Sequence, residues 1–303
     1  MPHPNAAKLS GLLTAILTPF DLQGNPTWEQ FPALLDFQRQ AGVDGLVVCG
    51  TNGEGTSLSV AERKRALETV MAHRGAFTIV AGTGAANTPD AVELTRHAAD
   101  VGADAVLALP PFFFKEPTAA GLAPYFRAIL DAADIPVLLY NIPRFTAVPI
   151  TDELIERLID HPNMSGIKDS DGVWERTAAL ITGYPQLRIF AGSDRLDARC
   201  YAHGGAGCIS GGANAFPEAL AAIRDAFRTG GDGPQLAAAQ ARLDALIDIV
   251  IRYPVIGTSK CILAHRGLPR LGVRPPLVLP SAEQEARLLT ELRAAGFLDE
   301  SRH

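Results

Sequence analysis

Gly42-Val43-Asp44-Gly45-Leu46-Val47-Val48-Cys49 is the stretch that decides the fold. A glycine suited to ending a helix is followed at once by an apolar run. A strand with one wet face alternates polar and apolar residues. An apolar run without alternation belongs to a parallel strand buried on both faces. The same junction returns in Gly102-Ala103-Asp104-Ala105-Val106 and in Gly205-Ala206-Gly207-Cys208-Ile209, a weak internal repeat.

Working outward from that stretch, short apolar runs alternate with amphipathic segments. Strands are predicted over Leu12–Leu17, Gly45–Cys49, Phe77–Ala81, Ala105–Leu109, Pro136–Tyr140, Met164–Lys168, Leu187–Ala191 and Gly207–Ser210. Helices are predicted between them: Thr27–Gln40, one opened by the Ser59/Glu62 capping box, one opened by Thr88-Pro89, one running to Ala133, then Thr151–Asp160, Val173–Thr182, Leu196–His203 and Pro217–Thr229. Eight strand–helix units predict an α/β protein, a (β/α)8 TIM barrel. A doubly wound open sheet is the alternative, but no GxGxxG follows the first strand. Gly230-Gly231-Asp232-Gly233-Pro234 then breaks the pattern. Beyond it lie Gln235–Ile251, Gly257–Ala264 and Ser281–Ala295, read as helices, with a proline-rich connector over Leu271–Pro280. The expected organisation is an N-terminal tail (1–10), a barrel (11–230) and a C-terminal three-helix appendage (231–303).

The 303 residues are 47% hydrophobic and carry net charge −6. That provides ample core and no basic footprint for nucleic acid or an anionic membrane. No run approaches the ~18 apolar residues needed to span a bilayer. Met1–Lys8 lacks the apolar core of a signal peptide, so a cytoplasmic location is expected. Cys49, Cys200, Cys208 and Cys261 show no metal-binding spacing and read as reduced thiols, mostly buried. The histidines are scattered, and no metal site is read.

In such a barrel the chemistry sits where the strands end and in the loops that follow. One strand there, Met164-Ser165-Gly166-Ile167-Lys168, ends on a lysine with no polar face to hold it. Lys8 lies in the polar tail, Lys64 on the polar face of a helix, Lys115 in a loop and Lys260 beside a helix start, so Lys168 alone looks built into a strand. A desolvated lysine loses proton affinity and becomes an amine nucleophile. The commoner fate of one lysine is a salt bridge or a snorkelling position. Tyr140 ends the preceding strand, from which its hydroxyl reaches the same cavity. A tyrosine packed on the rim is the even alternative. Gly50-Thr51-Asn52-Gly53-Glu54-Gly55 can turn backbone N–H groups toward an anion, a weak signal taken alone. Glu54 reads as structural, bonding the loop's own amides.

Gly50-Thr51-Asn52-Gly53-Glu54, Tyr140-Asn141-Ile142-Pro143, Gly166-Ile167-Lys168-Asp169-Ser170, Gly192-Ser193-Asp194 and Ile209-Ser210-Gly211-Gly212-Ala213-Asn214-Ala215-Phe216-Pro217 occur in one order. Together they resemble the dihydrodipicolinate synthase/N-acetylneuraminate lyase family of class I aldolases, from Gly11 to Pro280. The resemblance implies a TIM barrel, usually a homotetramer, that binds pyruvate as a Schiff base without a further cofactor or metal. Lys168 matches the imine-forming lysine and Tyr140 the proton-shuttling tyrosine. Thr51, also read as catalytic, and Asn52, in the loop that begins at Gly50, match the residues that hold the pyruvate carboxylate. Ile209 matches a position whose backbone faces pyruvate.

The departures bear on the second substrate. The synthases carry a further tyrosine after strand four, where this chain has Phe112-Phe113-Phe114. Their arginine two residues past the Tyr-Asn-x-Pro proline is Phe145 here, with Arg144 one place early, and Asn52 replaces a second threonine. Phe113, Arg144 and Ser193 are therefore the candidate aldehyde-side residues. The preferred reading is an aldolase or dehydratase for a 2-keto-3-deoxy sugar acid or a related 2-oxo-4-hydroxy acid. The extra phenylalanines also allow a less polar aldehyde. Dihydrodipicolinate synthesis from pyruvate and aspartate semialdehyde is the alternative. A barrel that binds a 2-oxoacid without turnover is the third.

Overall fold

The computed structural model describes residues 3–298. Residues 1–2 of the expected tail and 299–303 of the expected helical region lie outside them. Eight parallel strands close a barrel in sequence order: β1 (Gly11–Ala15), β2 (Gly45–Val48), β3 (Thr78–Gly82), β4 (Ala105–Ala108), β5 (Val137–Asn141), β6 (Met164–Asp169), β7 (Arg188–Ala191) and β8 (Gly207–Ser210). The expected (β/α)8 architecture is the one found. The helices in chain order are α1 (Phe31–Gln40), α2 (Val60–Ala72), α3 (Thr88–Asp100), α4 (Ala119–Leu130), α5 (Pro143–Thr146), α6 (Asp152–Glu156), α7 (Trp174–Gly183), α8 (Asp197–Ala202) and α9 (Pro217–Gly230). After the barrel come α10 (Pro234–Val250), α11 (Val255–His265) and α12 (Ala282–Ala294), with α10 packed on α9 and α12 on α10. Among the described residues no helix is long and apolar enough to cross a membrane.

Two apolar clusters follow from the strand period of two. Leu13, Ala15, Val47, Val80, Leu107, Leu138, Phe190 and Ile209 point inward and fill the barrel. Leu12, Leu46, Val48, Ile79, Val106, Leu139, Ile167 and Ile189 point outward and pack against the helices. Both faces are buried, which is why the strands read as unbroken apolar runs. The N-terminal segment is part of this core. A short 3-10 turn over Pro4–Lys8 delivers Leu9, fully buried, to the inner cluster, and Arg188 Nε donates to the Leu9 carbonyl.

Several boundaries differ from the sequence reading for local reasons. β1 ends at Ala15 because the Leu17 amide bonds to Asn214 Oδ1 instead of a neighbouring strand. The helix expected from Thr27 begins at Phe31, after a 3-10 turn over Trp28–Gln30. Pro32 sits in its first turn, where a missing N–H costs nothing but continuation backward is disfavoured. Lys260 is not beside a helix start. α11 begins at Val255, so Lys260 lies in its interior, fully buried. At the seam between β1 and β8, Gly207 pairs with Gly11, and a Cβ on Gly207 would lie 2.1 Å from the Gly11 carbonyl oxygen. Only glycine lets the barrel close there.

Candidate active site

Lys168 and Tyr140 stand opposite each other in the β5–β6 register, and Phe190 of β7 is the next partner of Lys168. Adjacent parallel strands carry paired residues to the same face, so register alone sets these side chains side by side inside the barrel. Lys168 is 4% and Tyr140 3% exposed. The Lys168 ammonium nitrogen sits 4.4 Å from the centre of the Tyr140 ring, and the Tyr140 hydroxyl is 3.3 Å from Thr51 Oγ1. Thus the strand-end lysine, the tyrosine and the first side chain of the glycine loop meet in one place. Among the described residues no carboxylate pairs with Lys168. The Tyr140 environment has opposed effects. Burial would raise its phenol, but the Lys168 charge and hydrogen bonding with Thr51, Ser170 and Lys168 outweigh it and hold the group below the ordinary tyrosine value.

The loop between β2 and α2 supplies unbonded donors. Its carbonyls are used internally: Gly55 N donates to Gly50 O, Glu54 N to Thr51 O, and Thr18 Oγ1 to Gly53 O. Among the described residues the N–H groups of Thr51, Asn52 and Gly53 donate to no protein acceptor. Three such amides beside a lysine and a tyrosine form a natural seat for a carboxylate. Asn52 is pressed against β8's end, its Nδ2 2.3 Å from where a Cβ on Gly211 would lie. Glu54 does not bond the loop amides as expected. Its carboxylate faces away from the cavity, to Lys260 and the Arg274 amide.

Ile209 is fully buried in the inner cluster beside these groups. The other expected residues stand farther out. Phe113 is 76% exposed, edge-on to Phe114 in the loop after β4. Arg144 is exposed on α5, its guanidinium 4.6 Å from the Phe145 ring centre. Ser193 is half-buried at the end of β7, immediately before Asp194. Asp194 Oδ2 accepts from Gly212 N at 3.2 Å. Its carboxyl is raised by burial, which outweighs the hydrogen bonds from Ser210 and Gly212 and the charge of Lys168.

Two wall residues escaped the sequence reading as individuals, although both lie in quoted motifs. Ser170 Oγ is buried two residues beyond Lys168, close enough to the Tyr140 hydroxyl to help lower it. A Cβ on Gly192 would lie 1.9 Å from Ser170 Oγ and 3.0 Å from Lys168 Cε. The absent side chain is therefore what leaves Lys168 its extended path along the cavity. Gly192→Ala is expected to push Lys168 aside and lower the rate of reductive trapping with a keto acid by about tenfold or more, with secondary structure unchanged by circular dichroism. An unchanged trapping rate would remove Gly192 from the site.

The fold also assembles a grouping that sequence spacing did not reveal. Cys261, His265 and Glu285 bring one ligand-type atom each within 4.8 Å of one another. Arg270 already holds Glu285 through two hydrogen bonds of 2.9 and 2.7 Å, and His265 Nε2 adds a third at 2.9 Å. That carboxylate is occupied by a protein cation, as expected of a structural ion pair.

The profile of the dihydrodipicolinate synthetase family matches residues 8–295. An uncharacterized DapA-like lyase of Chloroflexus aurantiacus is 46% identical over 93% of this chain and 95% of its own length. A 4-hydroxy-tetrahydrodipicolinate synthase of Hyphomonas neptunium is 38% identical over 95% of this chain and 98% of its own. A prophage protein of the dihydrodipicolinic acid synthase family from E. coli K12, solved in complex with pyruvate, superposes with TM-score 0.89 at 26% identity, covering 95% of this chain and 99% of that one. Matching along nearly the whole chain, in sequence and in fold, makes this chain a lyase of the dihydrodipicolinate synthase/N-acetylneuraminate lyase family of class I pyruvate-dependent aldolases.

Proposed function

We propose that Lys168 forms an imine with pyruvate and that the enamine derived from it joins, or is released from, an aldehyde at the mouth of the barrel. The observation that carries this reading is the meeting of Lys168, Tyr140 and Thr51 beneath a loop with free amides. The Lys168 amine adds to the C2 carbonyl of pyruvate. Tyr140, relayed through Thr51, protonates the departing hydroxyl, so water leaves and an iminium forms. The iminium withdraws electrons, a C3 proton passes to the Tyr140 phenolate, and the resulting enamine attacks the aldehyde carbon while Tyr140 returns a proton to the aldehyde oxygen. Hydrolysis of the imine then frees Lys168. The cleavage direction runs the same steps backward. The amides of Thr51, Asn52 and Gly53 orient the carboxylate throughout.

The aldehyde side favours a 2-keto-3-deoxy sugar acid or a related 2-oxo-4-hydroxy acid. Asn52 adds a carboxamide at the mouth, able both to donate to and accept from a hydroxylated chain. The loop after β4 contributes phenylalanines without a hydroxyl, and Arg144 is held on Phe145. A retro-aldol screen of 2-keto-3-deoxy acids, read as pyruvate release, tests the assignment. At least one substrate is expected to turn over at a rate well above that with aspartate semialdehyde in the forward direction. The synthase reading is favoured by the 38% identical Hyphomonas relative. Robust turnover of aspartate semialdehyde would establish it in place of the sugar-acid reading.

A further inference from the structure

Behind the carboxylate loop lies a fully buried ion pair that joins it to the C-terminal helices. Lys260 Nζ donates to Glu54 Oε1 at 2.5 Å and to the Gly272 carbonyl at 2.7 Å, with both charged side chains at 0% exposure. Glu54 Oε2 accepts from the Arg274 amide at 2.9 Å. The Arg274 side chain continues the attachment. Its guanidinium donates to the Ser57 carbonyl at 2.8 Å and to Glu62 at 2.9 and 2.6 Å, and its Nε donates to the Gly24 carbonyl at 2.8 Å. Lys260 and Arg274 both lie against the ring of Phe20, at 4.6 and 4.9 Å from its centre.

The loop held this way is not relaxed. Cys49 and Glu54, the residues that flank Gly50–Gly53, have φ of 58° and 54°, in the left-handed region. Neither is glycine, so this backbone persists only where surrounding contacts over-determine it. Glu54 also follows directly on Thr51, Asn52 and Gly53, whose amides donate to no protein acceptor among the described residues. A charge buried so completely is costly on its own and requires its partner. The pair spans 206 positions of sequence. It ties the strained end of the loop to α11 and to the connector beyond it.

We infer that Lys260 is a positioning residue for the pyruvate carboxylate: through Glu54 it fixes the backbone that aims the Thr51, Asn52 and Gly53 amides, which makes the C-terminal helical region part of the active site. This rests on the pyruvate-imine reading above. Its distinctive consequence is selectivity. Loosening the loop weakens the hold on a carboxylate and leaves the lysine chemistry untouched. An uncharged analogue, pyruvamide, is therefore the control, because charge-assisted hydrogen bonds from the amides are the part of the site at stake.

The experiment is reductive trapping with borohydride of the full-length protein, wild type and Lys260→Met, across pyruvate and pyruvamide concentrations. The expected result for Lys260→Met is one pyruvyl group per chain at saturating pyruvate, with half-saturation raised about tenfold. Half-saturation by pyruvamide should stay within about twofold of wild type. The double variant Glu54→Gln/Lys260→Met, an uncharged pair of similar volume, repeats the comparison if the single variant does not fold. The same pyruvate-specific shift is expected. Equal shifts for both ligands, no shift for either, or a lower trapped fraction with unchanged half-saturation would each overturn the inference. Failure of wild type to trap pyruvate at all would instead overturn the imine reading.

Discussion

Lys168→Met is expected to abolish reductive trapping of pyruvate and to lower turnover by at least about 10⁴-fold, while leaving the protein as stable as wild type or more so. The loss follows from the nucleophile's position. Lys168 Nζ is the amine that faces the inner cavity beside Tyr140, whereas the other buried lysine, Lys260, is bonded to Glu54 and the Gly272 carbonyl. No neighbouring amine can replace it. The stability expectation follows from its partners. Lys168 is 4% exposed and forms no ion pair with a carboxylate among the described residues, so its charge rests mainly on Tyr140. An unpaired buried cation destabilises a fold, and a methionine of similar length removes that charge without opening a large void. Active sites commonly carry such local instability. Mass spectrometry after borohydride reads the first expectation and thermal denaturation the second. A trapped adduct on Lys168→Met would move the imine elsewhere. A fall in Tm of several degrees would show that Lys168 has a structural partner.

The fold was legible because its signal is redundant. Eight buried apolar strands alternate with helices, three of them behind the same glycine junction, and an error of a few residues at Leu17 or Thr27 changes nothing in the topology. Lys168 and Tyr140 were legible because each lies in the last two residues of a strand and adjacent ends in a parallel barrel share a cavity. Lys260 was not legible. Its local neighbours, Thr258, Ser259 and Cys261, read as an ordinary helix opening after Gly257. What buries Lys260 is Glu54, far away in sequence, and Glu54 in turn looked satisfied by its own loop. Gly192 and Gly211 escaped notice for a different reason: their contribution is the space beside Lys168 Cε and Asn52, and an absent side chain carries no chemical label. Cys261 and His265 are one helical turn apart, but the carboxylate that joins them, Glu285, arrives from α12. In each case the missing information is a long-range contact between elements whose local patterns are unremarkable on their own.

Tyr140→Phe separates proton transfer from binding more sharply than any other single change in this site. The substitution keeps the ring that lies against Lys168 and removes only the hydroxyl that meets Thr51 Oγ1. The aromatic packing in the inner cluster is unchanged, so folding and pyruvate half-saturation are expected to stay near wild type. The rate of imine formation and the overall turnover should fall by about 10²- to 10⁴-fold, the range for loss of a positioned acid or base. The pH profile supplies the second signature. Burial alone would raise the Tyr140 phenol, but the Lys168 charge and its hydrogen-bond partners hold it below the usual tyrosine value. As the proton donor to departing water, the phenol must be protonated. Wild-type trapping should therefore decline on the alkaline side as pH rises through that lowered value. Tyr140→Phe has no group to titrate there, so its smaller rate should lack that decline. Stopped-flow trapping across pH measures both effects. A variant with near wild-type rates, or one that keeps the same alkaline decline, would assign the proton transfers to another group, with Ser170, a buried hydroxyl beside Tyr140, to examine next.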